Sequence, residues 1–154
     1  MVTTILIVED HAVIRSFVCA IMAPEPDLHV VGEAADGAEA MRLVQALRPD
    51  LILLDLVLPR VPGLEVLRWI KRESSQTQVV IMTAYAEDAY RQAAVDSGAD
   101  AFLLKKTLIT VLLPTLRCLR NARDGVGDAL APRAADRLAA RTNRLASPAG
   151  RGEV

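Results

Sequence analysis

Ile5-Leu6-Ile7-Val8-Glu9-Asp10 decides the fold: four aliphatic residues run without a polar break and stop at two carboxylates. A short continuous run rich in β-branched residues reads as a strand buried on both faces, as in a parallel sheet. The pattern recurs. Leu51-Ile52-Leu53-Leu54 stops at Asp55, and Ala101-Phe102-Leu103-Leu104 stops at Lys105. In an open parallel sheet, ligands bind in the crevice beyond the carboxyl ends of the strands. Three carboxylates and one ammonium are therefore expected at one edge of one sheet. Carboxylates crowded in this way repel each other unless a cation sits among them. The spacing points to a site for a divalent metal and an anion.

Outward from these runs, strand and helix patterns alternate five times. Strands are expected at 4–8, 28–33, 51–54, 79–82 and 101–104, and helices at 12–22, 38–47, 64–72, 87–97 and 108–121. Val13, Ile14, Phe17, Val18 and Ile21 recur at helical spacing in the first helix. The Arg48-Pro49 step ends the second helix and Gly98 the fourth. Strict alternation implies right-handed crossovers and helices on both faces of the sheet. The fold class is α/β: a flavodoxin-like, doubly wound, five-stranded parallel sheet of order 2-1-3-4-5 with five helices. In that order strands one and three flank the switch point, which sets Glu9 and Asp10 beside Asp55.

The 154 residues have room for one domain and a modest extension. Composition changes after Asn121. The segment 122–154 is rich in Ala, Arg, Gly and Pro and has no aromatic residue. Its six arginines and four acids give it a net +2, leaving −3 for residues 1–121. Thus 1–121 is read as the folded domain and 122–154 as a disordered tail. Cys19 and Cys118 match no metal or redox spacing and are expected to be free thiols of a cytoplasmic protein. No apolar stretch reaches the ~20 residues a membrane span needs, and no signal sequence is evident. The overall charge of −1 gives no basic footprint for direct nucleic-acid binding.

Glu9, Asp10 and Asp55 suit Mg²⁺, which takes a few carboxylates, waters and a phosphate rather than a full protein cage. Thr83 ends the fourth run and Lys105 the fifth. A hydroxyl and an ammonium facing Asp55 make a clamp for phosphoryl oxygens.

Together these motifs resemble the receiver domain of two-component response regulators, in a stand-alone form like the chemotaxis regulators. The matching stretches are Ile-Val-Glu-Asp (7–10), Asp-Leu-Val-Leu-Pro (55–59) with Gly63, Met-Thr-Ala (82–84) and Gly-Ala-Asp-Ala-Phe-Leu-Leu-Lys (98–105). They cover residues 3–120. The resemblance implies that Asp55 takes a phosphoryl group from a sensor histidine kinase or a histidine phosphotransfer protein. Glu9, Asp10, Asp55 and the backbone carbonyl of Val57 would hold Mg²⁺. Lys105 and Thr83 would contact phosphoryl oxygens, with Phe102 changing rotamer as Thr83 moves, and the small Ala84 would leave access. Such a domain is a signalling phosphoacceptor, catalysing only its own phosphorylation and dephosphorylation.

Departures from the family pattern carry expectations of their own. Lys106 stands where many receivers have Pro, and Pro62 where an acid or amide is usual. Val57 and Tyr85 occupy the two positions that tune dephosphorylation in the family. An apolar Val and a bulky Tyr there predict a phosphoryl group lasting minutes or longer. The output surface is expected over 87–120, where Leu108, Ile109, Val111, Leu112 and Leu113 exceed one buried stripe and suggest a homodimer or partner interface. Two other readings stand: a DNA-binding transcriptional regulator whose output domain is missing from this chain, and a phosphorylation-independent scaffold. A metal-dependent phosphohydrolase ranks last, because Val57 sits where its general acid belongs.

Overall fold

Alternate residues of the three apolar runs feed two separate cores. Ile5, Ile7, Leu51, Leu53 and Leu103 lie in one, and Leu6, Val8, Ile52, Leu54, Phe102 and Leu104 in the other. The computed structural model describes residues 1–125. The elements are β1 (Thr3–Val8), α1 (Ala12–Met22), β2 (Leu28–Ala34), α2 (Gly37–Leu47), β3 (Leu51–Asp55) and α3 (Gly63–Glu73). They continue with β4 (Gln78–Thr83), α4 (Asp88–Asp96), β5 (Ala101–Leu104), a single 3-10 turn (Lys105–Thr107) and α5 (Leu108–Arg123). All strand pairs are parallel and the order is β2-β1-β3-β4-β5, as expected. The first core is closed by α1 and α5, and the second by α2, α3 and α4.

Side chains alternate between these cores along every strand, so register decides what each face presents. Between β1 and β2 the register slips: Ile5 pairs with Val30 but Leu6 with Gly32, leaving Val31 as a bulge. Past such an insertion the strand shows its opposite face. Glu33 therefore lies opposite Ile7, on the α1 side, and Ala34 opposite Val8, in the second core.

Two apolar sets read from the sequence divide between core and surface. In α1, Val13 (81% exposed) and Phe17 (43%) face outward, and the sheet takes Ile14, Val18, Ile21 and Met22 instead. Both stripes run at helical spacing, and only the sheet selects between them. In α5, Leu108, Val111 and Leu112 are core and Leu113 packs against it, so Ile109 alone of that set is exposed, at 71%.

The last helix reaches Arg123 rather than Asn121. Its end is held by ion pairs of Arg117 with Glu25 (2.5 Å) and of Arg120 with Asp27, and by Arg123 donating to Thr3 Oγ1 (3.1 Å). Most of the segment expected to be a tail, from residue 126 onward, lies outside the described residues. Cys19 is a free, half-buried thiol, and Cys118 is half-buried. Among the described residues no helix is long and apolar enough to cross a membrane.

Candidate functional site

The strand ends bring their polar residues to one edge. Val8 pairs with Leu54, Asp55 with Met82, and Thr83 with Leu104, so Glu9, Asp55, Thr83 and Lys105 end four adjacent strands in near-common register. A cavity of about 140 Å³ opens there, lined by Asp10, His11, Asp55, Val57, Ala84, Tyr85 and Lys105.

Lys105 is the centre of the electrostatics. Its Nζ lies 2.8 Å from Asp55 Oδ2 and 2.7 Å from Glu9 Oε2. The first contact is a well-directed hydrogen bond, whereas Glu9 Oε2 accepts no hydrogen bond of good geometry. Both carboxylates are buried, Glu9 completely and Asp55 to 3% exposure. Burial lifts the Glu9 carboxyl above its ordinary range; the Lys105 ammonium opposes the shift and the Asp55 charge adds to it. Burial also works against the charged Lys105, but the Asp55 hydrogen bond and the close negative charges of Asp55 and Glu9 outweigh it and raise its pKa. The ammonium thus stands between the two carboxylates, where the crowding of like charges calls for a cation.

Local hydrogen bonds fix the rest. The Val57 N–H donates to Asp55 Oδ1 (3.1 Å), so both oxygens of Asp55 are held. Gly63 lies against the β3 terminus and its N–H donates to the Leu56 carbonyl (3.0 Å). A Cβ at Gly63 would stand 2.5 Å from Leu56 Cα and closer still to the Asp55 carbonyl oxygen, so only glycine allows this approach. Thr83 is fully buried and its Oγ1 accepts the Tyr85 N–H (3.1 Å). Phe102, one strand over, is buried on the face toward α4, and the Arg91 guanidinium lies 5.8 Å from its ring centroid. Tyr85 stacks on Tyr90, centroids 5.4 Å apart.

The donor set suits a hard divalent cation. Glu9, Asp10 and His11 offer ligand atoms within 4.8 Å of one another, and the buried Glu9 Oε2 lacks a directed partner. Oxygen ligands of this kind fit Mg²⁺.

The residues expected from the sequence lie at this edge except Phe102, which is buried inside β5 two residues before its end, and three neighbours escaped the sequence reading. His11 Nδ1 lies 3.2 Å from Glu9 Oε1 and 3.1 Å from Asp10 Oδ1. Arg15 reaches back from α1 to the same loop. Arg91 covers Phe102. Their signal was weak: a single His after two acids, and arginines inside helices that otherwise read as solvated.

Residues 5–117 match the response regulator receiver domain. The chain belongs to that family. Over 134 residues it is 31% identical to the transcriptional regulatory protein LiaR of Bacillus subtilis, covering 87% of this chain and 64% of LiaR. It is 35% identical over 117 residues to the response regulator protein VraR of Staphylococcus epidermidis, covering 76% of this chain and 56% of VraR. The chain therefore spans roughly three fifths of the length of these relatives. Among solved structures, the receiver domain of the putative response regulator NarL from Mycobacterium tuberculosis superposes with a TM-score of 0.72 at 32% identity, covering 77% of this chain and 97% of that one.

Proposed function

We propose that Asp55 is the phosphoacceptor of this receiver, taking its phosphoryl group from the phosphohistidine of a sensor kinase or histidine phosphotransfer protein. The observation that carries the reading is the Lys105 ammonium held between the buried Asp55 and Glu9 carboxylates at the rim of an open cavity. In the transfer, an Asp55 oxygen forms a bond to phosphorus as the bond to the donor imidazole breaks and the imidazole departs. Chemistry of this kind needs positioning and charge neutralisation above all. The Val57 N–H and Lys105 fix the plane of the Asp55 carboxylate. Lys105 is already within reach of an incoming phosphoryl oxygen. Glu9, Asp10, Asp55 and the Val57 carbonyl would hold Mg²⁺, which when bound neutralises charge on the phosphoryl oxygens.

The product adds roughly −1.5 to −2 charges at Asp55. Thr83 would turn its hydroxyl to donate to a phosphoryl oxygen, releasing the Tyr85 N–H, and Phe102 would reorient beneath Arg91. The surface so altered is α4, β5 and α5, where Tyr90, Val95 and Ile109 are exposed apolar groups for a partner or a second copy. A cytoplasmic setting goes with a kinase donor.

Intact-mass measurement after incubation with acetyl phosphate and Mg²⁺ tests the assignment. Wild type should gain one phosphoryl mass, and Asp55→Asn, or wild type without metal, should gain none. Equal gain in Asp55→Asn would move the acceptor elsewhere. The likeness to LiaR, a transcriptional regulatory protein that is longer than this chain, favours a second reading in which the receiver governs a DNA-binding output domain.

A further inference from the structure

We propose that Arg15 is a positioning residue for the metal-binding loop, held in place by Glu33 through the bulge in β2. The inference rests on the metal site proposed above and adds a residue that neither the motifs nor the site geometry required.

Arg15 lies in the first turn of α1. Side chains on a helix lean toward its N-terminus, so the guanidinium reaches back over the β1–α1 loop. Its Nη1 donates to the Glu9 carbonyl at 2.7 Å and the Asp10 carbonyl at 3.3 Å. Its Nε faces Glu33 Oε1 at 3.4 Å. The guanidinium is largely buried, at 21% side-chain exposure. It touches neither carboxylate of the acid pair. It fixes the two carbonyls of residues 9 and 10, and with them the directions in which those two side chains leave the backbone.

Two features make this a built arrangement. First, two backbone carbonyls share Nη1 while the Glu33 carboxylate faces Nε, so two different nitrogens of one guanidinium are used, which a single ammonium cannot match. Second, Glu33 reaches the α1 side only because Val31 bulges from the β1–β2 ladder. In unbroken register Glu33 would pair with Val8 and point toward α2, away from Arg15. The edge strand is therefore tied to the loop by a register shift that would otherwise only weaken the sheet.

Groups that orient metal ligands typically cost 10- to 100-fold in metal affinity when removed. Calorimetric titration with Mg²⁺ alone should show Arg15→Gln and Arg15→Ala weakened by about that factor. Glu33→Gln should be weakened less, and Arg15→Lys should fall between Arg15→Gln and wild type. The role acts on metal binding rather than on the transfer step. Phosphorylation by acetyl phosphate should therefore need more Mg²⁺ in Arg15→Gln yet reach the wild-type rate at saturation. Unchanged Mg²⁺ affinity in Arg15→Gln and Arg15→Ala would overturn the proposal. So would a rate deficit that saturating Mg²⁺ leaves in place together with a lowered unfolding midpoint, since that is what loss of a purely structural tie produces. If wild type itself takes up no Mg²⁺, the metal reading falls first and this inference with it; if wild type binds and the variants bind equally, only the role of Arg15 falls.

Discussion

Removing the Lys105 ammonium leaves the Glu9 and Asp55 carboxylates buried side by side with no protein cation between them. Breaking a buried pair in this way costs roughly 3–5 kcal/mol, and the partial exposure of Lys105 favours the lower end. Lys105→Met should therefore unfold at lower urea in metal-free buffer. The deficit should also depend on pH. Burial lifts the Glu9 carboxyl above its ordinary 4.5, so its protonated form is favoured in the folded state. The penalty is absent below that value and grows as pH rises through the folded-state pKa. Urea midpoints of the variant should thus recover toward wild type on acidification, and Mg²⁺ at neutral pH should restore part of the loss. A second prediction concerns Val57 and Tyr85, which line the cavity over Asp55. The phosphoryl group should last minutes or longer on wild type after donor removal. Val57→Asn with Tyr85→Ala should shorten that life by admitting and orienting water. Loss from wild type within seconds would contradict the shielding.

Among the elements, the junction of β3 and α3 leaves no room for a side chain at Gly63. Gly63→Ala would drive a methyl group into the backbone of Asp55 and Leu56. Overpacking of this kind costs about 1–3 kcal/mol, occasionally more, and because the displaced atoms carry Asp55, phosphorylation should fall further than stability. Comparing acetyl phosphate uptake with the thermal midpoint separates the two effects. The strands were readable from sequence because runs such as Leu51-Ile52-Leu53-Leu54 are buried on both faces and leave one interpretation. α1 was readable as a helix but not in its orientation: Val13 with Phe17 and Ile14 with Val18 are equally helical pairs, and tertiary packing alone chooses the second. The bulge at Val31 was invisible because Leu28 to Ala34 reads as one strand in either register. Arg15 was missed in part for the same reason, since its pairing with Glu33 depends on that register. The 3-10 turn at Lys105–Thr107 carries no apolar period to announce it.

Across the whole molecule, the two cores and the charged edge opposite the site carry unequal weight. Leu112 is fully buried in the α1/α5 core, and Leu112→Ala should cost about 2–5 kcal/mol. Arg120 joins Asp27, the Met1 carbonyl and Asp124 near the start of β1. Pairs so near solvent contribute on the order of 0.2–1 kcal/mol each. Arg120→Ala should accordingly lose less than Leu112→Ala, and its deficit should shrink in high salt while that of Leu112→Ala does not. The strand order has a consequence for biosynthesis. Glu9 and Asp55 meet as soon as β1 and β3 pair, but the cation between them arrives only with the last strand, at the sheet's far edge. A growing chain released as far as α3 holds the two acids without the Lys105 ammonium that stands between them in the complete sheet. On the role proposed for Asp55, a copy truncated before Lys105 should therefore be mute to the kinase rather than a weak listener.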